Sequence, residues 1–256
     1  MLNLTPNPAD PKNMTLQDST DKMRRDRALL EALIDDPSRL GPDYQPIKNL
    51  TDGSLVALKA TGRGQSGTEL DSTLALLESA QAGGLMERLD WAFRCLAFDV
   101  AIDSGVTCEV HLTPEPETFG APCPPRLATA FGRGRRSLKV GAEIHDYGFQ
   151  HPGLEAAVTE WRGWGWKVIV ADVAHLADAA FLRRLDLLRP DAVQVDLAKP
   201  SRDTDPNLRE VLTWAAGAGV EVHALAVDTA ARQQQALDLG ATVGRGRLLG
   251  APGPLT

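Results

Sequence analysis

Ala192-Val193-Gln194-Val195-Asp196, Asp205-Pro206-Asn207-Leu208-Arg209-Glu210-Val211-Leu212-Thr213-Trp214-Ala215 and Val220-Glu221-Val222-His223-Ala224-Leu225 follow one another in the chain. The first and third runs are short and rich in Val and Ala, as strands buried on both faces should be. The middle run starts with an acidic cap candidate and a first-turn proline. Its Leu208, Val211, Leu212 and Ala215 fall at i, i+3, i+4 and i+7, one face of a helix. Gly217 and Gly219 then stop it. The stretch therefore reads strand, helix, strand, the unit of a parallel sheet.

The same alternation extends outward. Predicted strands are Tyr44–Asn49, Ser54–Ala60, Val106–Leu112, Leu138–Ile144, Lys167–Ala171, Ala192–Asp196, Val220–Leu225 and Thr242–Leu248, with helical stretches between them. Alternating β and α elements imply a largely parallel sheet. Eight strands in 256 residues favour its closure into a barrel. Ahead of the first strand, Met23, Leu29, Leu30 and Leu33 sit among charges, and Pro37 and Gly41 end that pattern. The expected organisation is a flexible arm over 1–20, an N-terminal helix over 21–42 and a barrel over 43–256.

The bulk properties narrow the function. Net charge is -7, which argues against nucleic acid as a partner, since phosphate neutralisation needs clustered Lys and Arg. No apolar run approaches a membrane span, and no signal pattern opens the chain. The cysteines, Cys95, Cys108 and Cys123, are odd in number and form no CxxC, which suits reduced thiols. A cytoplasmic protein is expected.

The segments resemble the EAL phosphodiesterase family in order and spacing. Tyr44-Gln-Pro-Ile47 is similar to its opening YQPI strand. Lys59-Ala60-Thr61-Gly62-Arg63 stands where E-A-L-x-R belongs. Val110-His111-Leu112-Thr113-Pro114 resembles V-N-L-S-P, and Glu143-Ile144-His145-Asp146 resembles E-I-T-E. Val168 to Asp172 stands at the D-D-F-G segment, and Val193 to Asp196 resembles I-K-I-D. His223 to Thr229 resembles V-A-E-G-V-E-T, and Gly244 to Pro252 resembles G-Q-G-Y-L-F-G-R-P. The match runs from Asp43 to Pro252. The resemblance implies an EAL-type (β/α)8 TIM-like barrel. For family members it also implies divalent cations held on carboxylate oxygens and hydrolysis of cyclic di-GMP.

Several of the implied site residues differ here. The Glu of EAL is Lys59, the Asn ligand is His111, the first Asp of the pair is Ala171, the catalytic Lys is Gln194 and a later Glu is Leu225. Glu143, Asp172, Asp196 and Arg63 remain. Lys59 is expected to pair with Glu143 or Asp196, supplying internally the charge a metal would bring. On this reading the chain is no enzyme and carries no cofactor and no metal.

Other motifs stay open. Gly62-Arg-Gly-Gln-Ser-Gly67 is a literal G-x-G-x-x-G, to be read as a barrel loop or a phosphate turn. Arg245 and Arg247, with Arg63, could hold an anion or stand as rim charge. Arg133, Arg135, Arg136 and Lys139 form a basic run. His111, His145 and His223 fall on three strands and could rebuild a transition-metal site. Trp161, Trp164 and Trp166 are either core or an interface anchor. Three functions follow: a regulatory or protein-interaction module docking on a protein partner, a cyclic di-GMP receptor that does not hydrolyse it, and a repurposed barrel metalloenzyme. The first is the one expected. The resemblance also allows a homodimer.

Overall fold

A computed structural model of the chain describes residues 16–171, 173, 179–199 and 206–255. Helix α1 (Leu16–Asp35) leads into strands β1 (Gly41–Asn49) and β2 (Leu55–Arg63). Helices α2 (Thr73–Gly83) and α3 (Met86–Asp103) follow, then β3 (Glu109–Leu112), α4 (Ala128–Ser137) and β4 (Val140–Ile144). Next come α5 (Asp146–Phe149), α6 (Leu154–Gly163), β5 (Lys167–Val170), α7 (Ala179–Leu188) and β6 (Ala192–Asp196). The chain ends with α8 (Pro206–Ala218), β7 (Glu221–Leu225), α9 (Ala230–Asp238) and β8 (Val243–Gly244). The eight strands close in sequence order into a (β/α)8 TIM-like barrel.

Strands β2 to β8 run parallel, but β1 lies antiparallel to both β2 and β8. The sheet is thus largely parallel, as the alternation implies, with β1 as its one antiparallel strand. Only residues 50–54 join β1 to β2, and parallel pairing needs a crossover of about a dozen residues or more. The short link folds as a hairpin instead. Asn49 Oδ1 accepts from the Thr51 and Asp52 amides, Asp52 Oδ1 accepts from Ser54, and Gly53 takes φ +72°.

Helix α1 begins at Leu16 rather than Asp21. No proline or glycine lies between Pro11 and Pro37, so nothing in that stretch breaks the helix. The rest of the expected arm lies outside the described residues, as does Asp205, the cap expected for α8. Strands β3, β4 and β8 are shorter than their apolar runs, because the flanking residues pack as loop. Leu30, Leu33 and Ile34 of α1 join Leu76, Ala80 and Leu89 of α2 and α3 in a second core cluster. That cluster seats the three helices beside the β1–β2 corner. The main core lies between the barrel and its outer helices.

Candidate functional site

In a barrel, alternate residues of each strand point inward. Here that interior is polar. Lys59 on β2 pairs in register with His111 on β3, and Gln194 on β6 with His223 on β7. All four are buried, and so is Glu143 on β4. His111 faces Gly141 across β4. A Cβ on Gly141 would stand 2.8 Å from the imidazole Cδ2, so the glycine makes room for the ring.

Glu143 is the hub. Its Oε2 lies 2.8 Å from Lys59 Nζ and 3.4 Å from Arg245 Nη2. Its Oε1 accepts from Gln194 Nε2 at 2.9 Å and lies 3.0 Å from His111 Nδ1. Lys59 also donates to Thr113 Oγ1. His111 Nε2 lies 2.8 Å from Glu109 Oε1, so both ring nitrogens face carboxylates, as an imidazolium requires.

The electrostatics follow from this packing. Burial pushes the Glu143 pKa up, but Lys59, Arg245 and His111 reverse the effect and hold it well below its ordinary value. Burial opposes the His111 imidazolium, and its hydrogen bonds to Glu109 and Glu143 outweigh that, so its pKa is raised. Burial pulls the Lys59 pKa down, against Glu143. The cluster stays ionic because Glu143 answers three cationic partners as well as an amide.

Not every expected residue joins this hub. Arg245 does, but Arg63 turns to Asp43 at 3.8 Å and is half exposed. Arg247 pairs with Asp228 at 3.3 Å with 80% of its side chain exposed. Asp196 caps the Ala198 amide at the end of β6, and Leu225 ends β7. Asp172 lies outside the described residues. His145 precedes α5 at the mouth, while His111 and His223 stack deeper at 6.2 Å. Among the described residues no three His, Cys, Asp or Glu side chains are placed to hold a metal ion.

The glycine motifs have steric reasons. A Cβ on Gly64 would stand 1.7 Å from the Leu70 carbonyl oxygen, so the G-x-G-x-x-G segment is a tightly folded barrel loop. A Cβ on Gly246 would stand 2.3 Å from the Val227 backbone, whose amide bonds the Arg245 carbonyl at 3.0 Å. Gly246→Ala is therefore expected to shift Arg245 off Glu143 and cost about 1–3 kcal/mol, the usual size of overpacking. Denaturation of the variant checks the cost, and an unchanged midpoint would refute it.

Trp161 and Trp166 are buried, and the cluster packs edge-on against Phe119, Phe131 and Phe98. It belongs to the core and offers no exposed anchor. In the basic run, Arg133 is paired with Asp99 and Asp103 on α3.

Beside the hub opens a cavity of about 390 Å³ at the C-terminal mouth. Lys59, Thr113, Glu115, Tyr147 and Arg245 make its polar side, and Leu77, Met86, Leu89 and Phe93 its apolar side. Glu115, Tyr147 and the α3 pair Asp90–Arg94 did not emerge from the sequence, because loop geometry brings them together. Tyr147 Oη lies 3.4 Å from Glu115 Oε1.

Burial, and then Asp90, push the Glu115 pKa from 4.5 up to about 7. A carboxyl raised on folding favours the folded state below its unfolded pKa and loses that contribution as pH rises through the folded one. Thermal stability is thus expected to fall between about pH 4.5 and pH 7 in the native chain, and to fall less in Glu115→Gln. Parallel melting curves across that window would refute the assignment.

The family that the sequence resembles holds divalent cations on carboxylates. The hub does not fit them. Both oxygens of Glu143 are taken by donors, and an ammonium stands 2.8 Å away where a cation would meet it.

No family model matches the chain, and no curated protein matches it. Solved structures do. The EAL domain of Xanthomonas citri FimX, in complex with cyclic di-GMP, superposes with TM-score 0.77 at 17% identity, over 93% of this chain and 97% of that one. The barrel has the EAL fold. PaMucR, a phosphodiesterase solved with cyclic di-GMP, gives TM-score 0.70 at 18% identity, over 84% and 97%. Bacillus subtilis YkuI, a protein with an EAL domain solved with its substrate cyclic di-GMP and calcium, gives 0.71 at 16%, over 89% and 58%. The expectation that the chain is no enzyme is overturned here, because the same EAL barrel in PaMucR is a phosphodiesterase. Among the described residues no helix is long and apolar enough to cross a membrane.

Proposed function

We propose that this chain is a regulatory binding module of the EAL fold, whose mouth takes an anionic phosphodiester on fixed side-chain cations. Cyclic di-GMP, bound by structures that share the fold, is the first ligand to test. One observation carries the reading. Lys59, Arg245 and His111 share the one Glu143 carboxylate, and Glu109 on the far side of His111 also faces Lys167, which leaves the hub with cationic charge in excess. Arg245 lines the cavity, and its buried Nε has no hydrogen-bond partner among the described residues. A guanidinium in that state suits a phosphate oxygen. The protein-docking reading has less support, since Trp161 and Trp166 are packed inside and Trp164 is half-buried against Phe131.

Calorimetric titration of cyclic di-GMP into the full chain, with Mg²⁺ or with EDTA, tests this. The two affinities should agree, because the cations that face the ligand belong to the protein. Arg245→Ala should weaken binding at least about tenfold, roughly 1.4 kcal/mol. Arg63→Ala should leave it unchanged. Heat only with Mg²⁺, or none in either buffer, would overturn the reading.

A further inference from the structure

Two of the cysteines meet in space although they lie far apart in the chain. Cys95 sits on α3 and is buried, and Cys123 sits half-buried in the segment 113–127 that joins β3 to α4. Both are free thiols, and both point at one turn. Cys95 Sγ lies 3.8 Å from the Leu127 carbonyl oxygen, and Cys123 Sγ lies 3.6 Å from the Pro124 carbonyl oxygen. The Leu127 amide donates to that same Pro124 oxygen at 2.8 Å, which closes the turn with both sulfurs beside it. The two thiols are within hydrogen-bonding reach of one another. Among the described residues Cys108 shows no contact with either.

The elements that carry this pair form one wall of the mouth cavity. Helix α3 supplies Leu89, Asp90, Phe93 and Arg94, and the segment supplies Thr113 and Glu115. Hydrogen bonds hold the two elements together. Arg94 Nη2 donates to Thr118 Oγ1 at 2.9 Å, Thr118 Oγ1 to Asp90 Oδ2 at 2.8 Å, and the Glu115 amide to Asp90 Oδ2 at 3.2 Å. Cys95 follows Arg94 directly on the helix. A covalent bond there would fix the wall that these hydrogen bonds now hold.

Exposure divides the roles of the two thiols. Cys123, the more exposed, is the one that an oxidant reaches. Burial raises its pKa, while the Cys95 hydrogen bond and the Arg94 charge pull against that. Cys95 is 2% exposed, and burial pushes its thiol up to about 12. It reacts only with a sulfur already placed against it, and Cys123 carries that sulfur.

We propose that Cys95 and Cys123 form a reversible disulfide, with a glutathione-type disulfide as oxidant, and that this bond clamps the segment 113–127 to α3. The Cys123 thiolate attacks one sulfur of the oxidant. The oxidant's S–S bond breaks, and one glutathione thiolate leaves and takes up a proton. Cys95 then attacks the Cys123 sulfur of the mixed disulfide, and its proton goes to the second glutathione as that leaves. Two protein thiols and one glutathione disulfide become one protein disulfide and two glutathione thiols. The protein gives up two electrons, and glutathione accepts them. With both thiols raised by burial, closure takes on the order of hours. The clamp rests on where the thiols stand and does not depend on what the mouth binds.

The full chain, incubated with oxidised glutathione and then alkylated, tests this. Mass spectrometry of the digest should find Cys95 joined to Cys123 and the alkyl tag on Cys108 alone. Dithiothreitol should restore a tag on every cysteine. The oxidised chain should melt about 5–10 °C above the reduced one, the usual gain for a loop of this length in a domain of this size. Amide hydrogen exchange over 113–127 should slow with it. Cys123→Ser should abolish the cross-link and the shift, and should leave the melting temperature of the reduced chain unchanged, since that thiol is only half-buried. Cys108→Ser should keep both.

Three results would overturn the proposal. One is alkylation of both Cys95 and Cys123 after oxidation. Another is a glutathione adduct that persists on Cys123, which would mean that Cys95 cannot reach its sulfur. The third is a cross-link that changes neither melting nor exchange, since a bond formed without those effects is no clamp.

Discussion

Glu143→Leu should unfold this protein more readily than any other single substitution in the barrel interior. Removing one partner of a buried ion pair costs about 3–5 kcal/mol, because the other charge is left buried and unanswered. Glu143 answers Lys59 at 2.8 Å, Arg245 at 3.4 Å and His111 at 3.0 Å. The cost should lie at the top of that range, a fall in Tm of roughly 10–20 °C for a domain of this size. Arg245 and Lys59 both line the mouth and can relieve part of their share there, but His111 cannot.

The double variant Lys59→Met, Glu143→Leu separates an energetic pair from a crowded neighbourhood. Replacing both partners by apolar side chains removes the charge together with its counter-charge. The double should therefore cost less than the two singles added, by about 1–3 kcal/mol. Chemical denaturation of the native chain and the three variants measures this directly. Additive costs would show that the 2.8 Å contact carries no coupling.

Much of this arrangement is legible in the sequence, and the exceptions have physical causes. The strand–helix–strand unit from Ala192 to Leu225 and the eight apolar runs are local patterns, so they survive without tertiary knowledge. The antiparallel β1 was legible too, since a link of 50–54 containing Asp52-Gly53 is too short for a crossover. The polar axis left a trace that alternation alone could find. Glu109-Val110-His111 and Glu221-Val222-His223 repeat one tripeptide on two strands, and i, i+2 spacing puts each Glu and His on one face.

What the sequence hides is reach. Arg63, Arg245 and Arg247 look alike as rim cations, yet only Arg245 sits at Glu143, and the backbone contact at Gly246 decides that. Glu115 and Tyr147 meet through loops whose course no periodicity encodes.

Lys59→Glu should give the barrel centre a need for a cation. The introduced carboxylate would face Glu143 where Lys59 Nζ now stands at 2.8 Å. Two carboxylates that close cannot both ionise without a counter-charge, so one must take a proton or find a cation. Arg245 and His111 can answer Glu143, but the Lys59 charge is gone and a negative charge has replaced it. Stability in EDTA should drop by about 3–5 kcal/mol, the size of a broken buried pair. Millimolar Mg²⁺ or Mn²⁺ should then restore part of it, because hard cations take carboxylate oxygens and a ligand specific to the folded state raises Tm by mass action.

The native chain should show no such rescue, since its ammonium already fills that role. Differential scanning fluorimetry of both proteins, with EDTA and with each metal, reads the difference. A Lys59→Glu variant as stable as the native chain in EDTA would mean that the Lys59 charge is not what holds Glu143 ionised. Equal metal responses in the two proteins would mean that cations bind elsewhere on the acidic surface. Rescue confined to the variant would place one substitution, carboxylate to ammonium at residue 59, as the change that exchanges a metal-dependent barrel centre for a self-neutralised one.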